Sequence, residues 1–171
     1  MTVTTLLVLG GARSGKSRYA EARIRATNRT PVYIATAQAF DAEMVERIAR
    51  HRADRGAGWR TVEAPLDLPG AIEAASGAPA LVDCLTLWTS NLLLADLDIE
   101  DATEQLIAAV RSHGGPIALV ANEVGLGIVP DNALARRFRD EAGRMNQAVA
   151  AAVDEVQLIA AGLPLTLKHA R

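Results

Sequence analysis

The feature that most constrains how this chain can fold is the glycine-rich segment at residues 10–17, which we call the phosphate loop. Its residues, Gly10-Gly-Ala-Arg-Ser-Gly-Lys-Ser17, match the phosphate-binding template G-x-x-x-x-G-K-[ST]. The strand-like run Val3–Leu9 precedes it, and a helical stretch follows it. Because strand, loop and helix occur in the order that the template requires, we predict that the chain binds a nucleoside triphosphate.

The positions of the loop suggest distinct contacts. Glycines allow backbone N–H groups to surround phosphates, Lys16 offers a positive charge to the β and γ phosphates, and the Ser17 hydroxyl can join the shell of a Mg²⁺ ion. Lys16 and Lys168 are the two lysines among 18 basic residues, so a lysine at this position stands out. We expect nucleotide contacts from all eight residues: Gly10, Gly11, Ala12, Arg13, Ser14, Gly15, Lys16 and Ser17. A glycine-rich turn without a ligand is the less favoured alternative.

Length and composition favour one domain with small-molecule partners. The 171 residues, 50% of them hydrophobic, suffice for one core, and we expect residues 1–171 to form a single nucleotide-binding domain. A net charge of −2 without a basic stripe argues against nucleic acid and membrane surfaces. The single cysteine, Cys84, cannot form an internal disulfide, Val3–Leu9 lacks a basic leader, and no apolar run reaches the ~20 residues of a membrane span. We therefore expect a soluble cytoplasmic protein.

Short apolar runs alternate with amphipathic stretches along the chain. The predicted strands are Val3–Leu9, Val32–Ala37, Ala80–Asp83, Ile117–Ala121 and Val156–Ala160, with Leu165–Lys168 as a last candidate. The predicted helices are Ser17–Ala26, Asp41–Arg55, Asp67–Ala75, Thr86–Ala95, Asp101–Ser112 and Asn132–Val153, with Asp41 and Asp101 as possible N-caps. This alternation predicts an α/β fold with a mostly parallel sheet covered by helices on both faces.

Ligands of such a sheet gather at the carboxyl ends of its strands, so the residues there are candidates. Asp83 ends an apolar run and is placed like the acid that holds Mg²⁺ in phosphate-loop enzymes. The alternative is that Asp83 caps the following helix or lies in a solvated turn. Glu123 follows another apolar run and is a weaker candidate for orienting a nucleophile or a metal-bound water.

His51 is the candidate nucleophile outside the loop. It shares a helical face with Met44 and Ile48, and a neutral imidazole can attack phosphorus to form a phosphoramidate. The alternative is a structural histidine at the edge of an inward face. His113 lies beside a glycine turn and His169 near the end of the sequence, so both fit a nucleophile less well, and no second His or Cys stands at metal-ligand spacing from His51.

Arginines accompany both candidate regions. Arg13 and Arg18 flank the phosphate loop, and Arg52 and Arg55 accompany His51. Arginine suits bidentate phosphate contacts, but a solvated helix face is the alternative for each of them.

Five segments together resemble one family. They are the phosphate loop, Tyr33-Ile-Ala-Thr-Ala37, the helix from Glu43 to His51, Trp59-Arg-Thr-Val-Glu63 and Asn122-Glu-Val-Gly-Leu-Gly-Ile-Val-Pro130, which is followed by Arg136-Arg-Phe-Arg-Asp140 and Gly143-Arg-Met-Asn146. They closely resemble the bifunctional adenosylcobinamide kinase and adenosylcobinamide-phosphate guanylyltransferase family of cobalamin biosynthesis. The resemblance runs from about residue 6 to residue 168.

The resemblance implies two reactions. The chain would phosphorylate adenosylcobinamide with ATP or GTP and then transfer GMP from GTP to the new phosphate, releasing pyrophosphate. It implies that the guanylyl group is carried on His51; Arg50, the neighbouring position, cannot serve as the nucleophile. It also implies a RecA-like sheet, a trimer, and GTP contacts from the segments that hold Ala35, Thr36, Ala37, Arg52, Ala53, Asp54, Arg55, Glu63 and Asp83.

Two alternatives to this function stay open at the level of sequence. One is a small-molecule kinase that lacks guanylyl transfer, and the other is a nucleotide-binding switch protein. Residues Asn122–Gly125 lack the Asn-Lys-x-Asp signature of regulatory GTPases, which counts against the switch. Because γ-phosphoryl transfer and attack on the α phosphorus need different geometries, we also hypothesise that the His51 helix shifts between two states, about the segments Gln38-Ala39 and Gly56-Ala57-Gly58.

Overall fold

The computed structural model describes residues 5–38 and 42–170, apart from the side chains of residues 43, 44, 47, 51, 52, 54 and 55. The strands are β1 (Thr5–Gly10), β2 (Val32–Ala35), β3 (Arg60–Glu63), β4 (Ala80–Asp83), β5 (Ile117–Asn122), β6 (Glu155–Ala160) and β7 (Leu163–Lys168). The helices are α1 (Lys16–Arg25), α2 (Ala42–Arg55), α3 (Leu68–Ala74), α4 (Leu85–Leu94), α5 (Ile99–Ser112) and α6 (Ala133–Ala152).

The seven strands form one sheet in the order β3-β2-β4-β5-β1-β6-β7. Every pairing is parallel except that of β6 with β7, which is antiparallel. The predicted mostly parallel sheet is therefore confirmed. Parallel strands end at the same edge, so the carboxyl ends of β1, β2 and β4 lie along one side of the molecule.

Helices cover both faces of the sheet, as predicted. On one face α1 packs Ala20 and Ile24 against β1, β4 and β5. On the other face α3, α4, α5 and α6 enclose the larger core, in which Trp88 and Met145 are almost fully buried. Nearly continuous apolar runs in β1, β4 and β5 are buried on both sides, which is why these strands were recognisable in the sequence.

Within the described residues, three strands differ from the prediction by more than one residue, and one of them, β2, ends at Ala35 rather than Ala37. The predicted strands do not include β3, whose sequence Arg-Thr-Val-Glu is short, polar and half exposed because β3 is the edge strand beside β2. The last strand, β7, begins at Leu163 rather than Leu165 and forms the opposite edge. Edge strands are less buried, so an apolar run marks them poorly.

One predicted helix cap is wrong. Asp98, not Asp101, is the N-cap of α5: its side chain accepts a hydrogen bond from the Asp101 N–H at 3.0 Å, and the helix begins at Ile99. Asp101 lies instead in the first turn, where a carboxylate is favourable beside the helix dipole. The other predicted cap, Asp41, lies outside the described residues. None of the helices in the described ranges is long and apolar enough to cross a membrane.

Candidate nucleotide site

The phosphate loop lies between the end of β1 and the start of α1, as the sequence predicts. Gly15, the residue before α1, has φ 94°, a left-handed conformation that favours glycine. Gly10 is required for space, because a Cβ there would lie 2.4 Å from Ser14 Oγ and 2.8 Å from the Ile159 carbonyl oxygen. Gly11 has open space around its Cβ position. The loop path therefore depends on Gly10 and Gly15.

The loop ends on an open helix N-terminus. No side chain caps α1, and its first turn contains no acidic residue. The first N–H groups of a helix have no intrahelical partner and carry a partial positive charge. This end of α1 is thus an anion site in the place where a phosphate is expected.

A buried hydroxyl in the loop lacks a partner. Ser14 is 9% exposed, and its Oγ has no hydrogen bond among the described residues. The backbone of Ser14 is engaged, since its N–H donates to the Gly11 carbonyl at 3.3 Å and its carbonyl accepts from the Gly162 N–H at 2.8 Å. A buried polar atom without a partner is costly, so a ligand atom such as a phosphate oxygen fits this position.

Lys16 lies at the start of α1 with its ammonium over the loop. Its Nζ donates to the Gly11 carbonyl at 3.1 Å. Burial raises the pKa of the Cys84 thiol to about 11, and the negative charge of Asp83 adds to the rise, whereas the positive charge of Lys16 lowers that pKa.

Asp83 ends β4 at the same edge and does not cap the helix that follows. The cap of α4 is Cys84, whose Sγ accepts from the Leu87 N–H at 3.5 Å. The alternative role of Asp83 as a helix cap is therefore wrong. Its Oδ2 instead accepts a hydrogen bond from the Tyr33 hydroxyl at 2.9 Å. Asp83 thus holds a half-buried carboxylate at the site edge, supported by a neighbouring strand.

The residues at this edge fit a magnesium ion. Ser17, in the first turn of α1, and Asp83 offer hydroxyl and carboxylate oxygens, the ligands that Mg²⁺ prefers. Within the described ranges no three His, Cys, Asp or Glu residues cluster as a metal cage. That suits an ion that takes most of its ligands from phosphates and water.

Thr36 has a structural role in the segment after β2. It is fully buried, and its hydroxyl donates to the Cys84 carbonyl at 2.7 Å while accepting from the Cys84 N–H at 2.8 Å. The Asn91 side chain donates to the Thr36 and Pro65 carbonyls at 2.8 and 2.9 Å. The hydroxyl is therefore occupied, whereas the residues beside it, Ala35 and Ala37, are half buried.

The two remaining acidic candidates differ in their surroundings. Glu63 is exposed at the end of β3, in register with Ala35, so it belongs to the same edge as Asp83. Glu123 follows β5, and its N–H donates to the Gly10 carbonyl at 3.0 Å. Its carboxylate accepts from the Gly125 N–H at 2.6 Å and thus closes its own loop. The Glu123 carboxylate is thus bonded within its own loop, which makes Glu123 a weaker candidate for binding a ligand.

The histidine candidates also separate. His51 lies in α2, the predicted helix. The side chains of His51, Arg52, Asp54 and Arg55 lie outside the described part of the structure, and Ala53 is exposed. Gly56 and Gly58, with φ of 69° and 101°, follow the helix. His113 is 1% exposed with its ring nitrogens 3.3 and 2.7 Å from the Ile72 and Ala78 carbonyl oxygens, which is a structural environment. His169 is exposed beyond β7.

Arg13 and Arg18 are exposed beside the phosphate loop, so phosphate contact and a solvated face are both open to them.

The loop after β5 is held at its end by Arg136, whose guanidinium donates to the Pro130 and Asp131 carbonyls at 3.0 and 2.8 Å. Its apolar residues Leu126 and Ile128 are 86% and 98% exposed. The loop, which begins beside Gly10 at Glu123, thus exposes two large apolar side chains.

Two residues of the site had no role assigned from the sequence, namely Tyr33 and Asn91. Tyr33 lies inside a recognised motif, and a tyrosine in a buried strand needs a partner for its hydroxyl, which is the available signal. That the partner is Asp83, 50 positions away, depends on the strand order. Asn91 lies on a helix buried nearly all round, where a polar residue signals a buried hydrogen bond.

Comparison with known proteins identifies close relatives. The family model described as cobinamide kinase / cobinamide phosphate guanyltransferase matches residues 6–167. The bifunctional adenosylcobalamin biosynthesis protein CobP of Pseudomonas aeruginosa is 51% identical over 166 residues, covering 95% of this chain and 96% of that protein. The bifunctional adenosylcobalamin biosynthesis protein CobU of Salmonella typhimurium is 44% identical over 180 residues, covering 95% of this chain and 99% of that protein.

A solved structure from Pyrococcus horikoshii OT3 shares the architecture. It superposes with a TM-score of 0.57 at 11% identity, covering 100% of this chain and 89% of that chain. At this low sequence identity the superposition is evidence for the fold alone. With the phosphate loop at the end of β1 and the strand order, it confirms the predicted α/β fold, a mostly parallel sheet covered by helices on both faces.

Proposed function

We propose that this chain, which belongs to the cobinamide kinase / cobinamide phosphate guanyltransferase family, carries out both reactions at the edge formed by β1, β2 and β4. It phosphorylates adenosylcobinamide with ATP or GTP and then transfers GMP from GTP to adenosylcobinamide phosphate. The observation that carries this proposal is the match of 95% of the chain to curated bifunctional relatives. The unpartnered Ser14 hydroxyl and the open α1 terminus support it.

In the kinase reaction the acceptor hydroxyl attacks the γ phosphorus, and the bond from that phosphorus to the oxygen bridging it to the β phosphate breaks. The phosphate loop and the N-terminus of α1 hold the β and γ phosphates. The ammonium of Lys16 neutralises the charge that moves onto the leaving oxygen. Ser17 and Asp83 would hold Mg²⁺, which supplies further positive charge between the phosphates when it is bound.

In the guanylyl reaction we assign the nucleophile to His51. A ring nitrogen attacks the α phosphorus of GTP, a P–N bond forms, and the bond from that phosphorus to the bridging oxygen of the pyrophosphate breaks. A phosphate oxygen of adenosylcobinamide phosphate then attacks the same phosphorus and displaces the histidine, giving adenosylcobinamide-GDP. Splitting the transfer in two lets the pyrophosphate leave before the large acceptor enters.

Further GTP contacts come from segments at the same edge. We assign them to Ala35, Thr36, Ala37, Arg52, Ala53, Asp54, Arg55, Glu63 and Asp83. The register of Ala35 with both Glu63 and Asp83 supports this grouping. Thr36 is fully buried, and its hydroxyl, carbonyl and N–H are bonded to Cys84, Asn91 and Asp83, so the contact of this segment falls to the half-buried neighbours Ala35 and Ala37.

Labelling with α-³²P-GTP tests the nucleophile. Wild-type protein should acquire an acid-labile label, and His51→Ala should acquire none. Because His169 is exposed, His169→Ala is the matched control and should label like the wild type, as should Arg50→Ala, which tests the adjacent position. Label that persists in His51→Ala would refute the assignment. Kinase activity with no label in the wild type would favour the small-molecule kinase, and tight GTP binding with neither activity would favour the switch protein.

We further propose that α2 shifts between a kinase state and a guanylyl-transfer state. The left-handed glycines Gly56 and Gly58 support a pivot after the helix. Crystal structures of the empty and GTP-bound protein should place α2 differently, and an unchanged helix would rule the shift out.

We also propose that the protein assembles as a trimer in the cytoplasm. The exposed apolar side chains Leu126, Ile128 and Val129 support assembly, because burying exposed apolar side chains against another chain is favourable. Light scattering should give a mass about three times the 18.1 kDa of one chain, whereas a mass of one chain would contradict the trimer.

A further inference from the structure

Tyr33 reaches along the sheet from the middle of β2 to the site edge. It pairs in register with Leu81, two residues before Asp83 on β4, and it is 6% exposed. Its hydroxyl donates to Asp83 Oδ2 at 2.9 Å. The hydrogen bond therefore joins a packed ring on β2 to a carboxylate at the carboxyl end of the neighbouring strand β4.

The Tyr33 ring is fixed from the side away from the site. The Trp59 ring packs against it edge to face, with centroids 5.9 Å apart and an interplanar angle of 86°. The Arg25 guanidinium, in the last turn of α1, lies 5.2 Å from the centroid of the Trp59 ring. The Trp59 ring, which Arg25 covers in turn, thus restricts the Tyr33 ring, so the Tyr33 hydroxyl has little freedom to leave Asp83.

A carboxylate held through one oxygen presents its other oxygen in a fixed direction. Asp83 is half buried at the end of a strand, and rotation about its side-chain bonds would otherwise spread Oδ1 over several positions. A hydrogen bond to one carboxylate oxygen removes most of that spread. Ring packing alone does not need the hydroxyl, because phenylalanine would fill the same space.

We propose that Tyr33 is a positioning residue that orients Asp83 toward the metal–nucleotide complex. Tyr33 acts through Asp83 and touches neither substrate nor metal. This role rests on the proposed function, in which Asp83 holds the metal. We expect the orientation of Asp83 by Tyr33 to matter for both reactions, because both use the same nucleotide edge.

Metal binding without the corrinoid isolates this role. Mn²⁺ serves as the probe, and electron paramagnetic resonance of the free ion measures its affinity for the protein–GTP complex. Tyr33→Phe should bind Mn²⁺ about tenfold more weakly, the order expected for losing a hydrogen bond to a charged group. Tyr19→Phe is the matched control, since its hydroxyl is bonded to Arg23 Nη1 at 2.9 Å, away from Asp83. Its Mn²⁺ affinity should equal that of the wild type.

A double-mutant cycle separates positioning from a general structural effect. If Tyr33 acts through Asp83, Asp83→Asn should weaken Mn²⁺ binding, and adding Tyr33→Phe to it should weaken binding no further. The kinase activity of Tyr33→Phe should recover at high Mg²⁺ concentration, because the defect lies in holding the metal. Thermal unfolding of each variant in the absence of metal checks that the fold is retained.

The outcomes distinguish this inference from the proposed function. Wild-type Mn²⁺ affinity in Tyr33→Phe, alongside weakened binding in Asp83→Asn, would overturn the role of Tyr33 alone. An equal loss from Tyr33→Phe in both backgrounds would overturn it as well. Unchanged affinity in Asp83→Asn would overturn the metal role of Asp83 and the Tyr33 inference with it. A loss in Tyr33→Phe that vanishes in the Asp83→Asn background supports the inference.

Discussion

Single residues decide whether the phosphate loop can close around a ligand. Gly10 lies where β1 ends, with Ser14 and the β6 backbone on either side of it, while its neighbour Gly11 faces open space. The template requires glycine at position 10 and accepts any residue at position 11, and the surroundings of the two glycines agree with that difference. The first is needed for close packing of the loop against the sheet, and the second leaves room for a ligand.

Replacing Gly10 by alanine should destabilise the protein. The new Cβ would overlap Ser14 Oγ and the Ile159 carbonyl oxygen, and forced overpacking costs roughly 1–3 kcal/mol. Gly11→Ala, the matched control, should stay within about 0.5 kcal/mol of the wild type. Urea unfolding monitored by circular dichroism measures both. Equal stabilities of the two variants would show that the loop is not packed as described.

An ion pair joins α1 to the sheet and should make stability depend on pH. Arg23 donates to both Glu155 carboxylate oxygens, at 2.8 and 2.7 Å, and these bonds lower the pKa of Glu155 below its ordinary value of 4.5. A lowered pKa means that folding favours the charged form. The stabilisation is therefore complete above about pH 4.5 and is lost as the pH falls through the lower pKa of the folded state.

Glu155→Gln should reduce the free energy of unfolding by about 1 kcal/mol at neutral pH, and its difference from the wild type should shrink in acid. Glu141→Gln is the control, because its bond to Arg144, whose side chain is 70% exposed, is worth only a few tenths of a kcal/mol. Denaturant unfolding at several pH values is the measurement. A Glu155→Gln difference that does not change with pH would contradict the assigned cause.

At the scale of elements, the edge strand β7 is tied to the end of a helix. The Lys168 ammonium donates to the Ala150 and Ala151 carbonyls at 3.0 and 3.2 Å and also to the Val153 carbonyl. A positive charge suits the negative end of the α6 dipole. The two lysines of the chain thus serve different purposes, one at a helix start for a ligand and one at a helix end for the fold.

Exchanging each lysine for methionine should separate these purposes. Lys168→Met should lower the free energy of unfolding by about 1–2 kcal/mol and leave GTP affinity unchanged. Lys16→Met should abolish phosphoryl transfer with a smaller loss of stability, since its ammonium is bonded at the exposed loop. Urea unfolding measures the free energy of unfolding, GTP titration calorimetry measures GTP affinity, and a kinase assay measures phosphoryl transfer. Loss of GTP binding in Lys168→Met would mean that β7 contributes to the site.

Elements that have a local residue pattern can be predicted from the sequence, whereas contacts that depend on how those elements are arranged cannot. Buried strands such as β4 and β5 read as apolar runs, whereas β3, four residues at an edge, has no such run. The α5 boundary was misplaced because Asp98 and Asp101 both suit a helix start. The pairing of Tyr33 with Asp83 follows from β2 lying beside β4, which no local pattern reveals.

At the scale of the whole molecule, one sheet edge serves both reactions in the function that we propose. Strand order brings together the phosphate loop, the end of β2, Glu63 and Asp83, and α2 connects β2 to β3 along the chain. In this proposal the kinase reaction needs the γ phosphate exposed to an acceptor, and the guanylyl reaction needs the α phosphate exposed to His51. A shared nucleotide edge and a separate helix that carries the proposed nucleophile would let a chain of this size hold both.

A chase experiment tests the central claim most directly. Protein labelled with α-³²P-GTP is freed of nucleotide and then mixed with adenosylcobinamide phosphate alone. The account predicts that the label leaves a peptide containing His51 and appears stoichiometrically in adenosylcobinamide-GDP. Label that remains on the protein, or that maps to a peptide without His51, would contradict it.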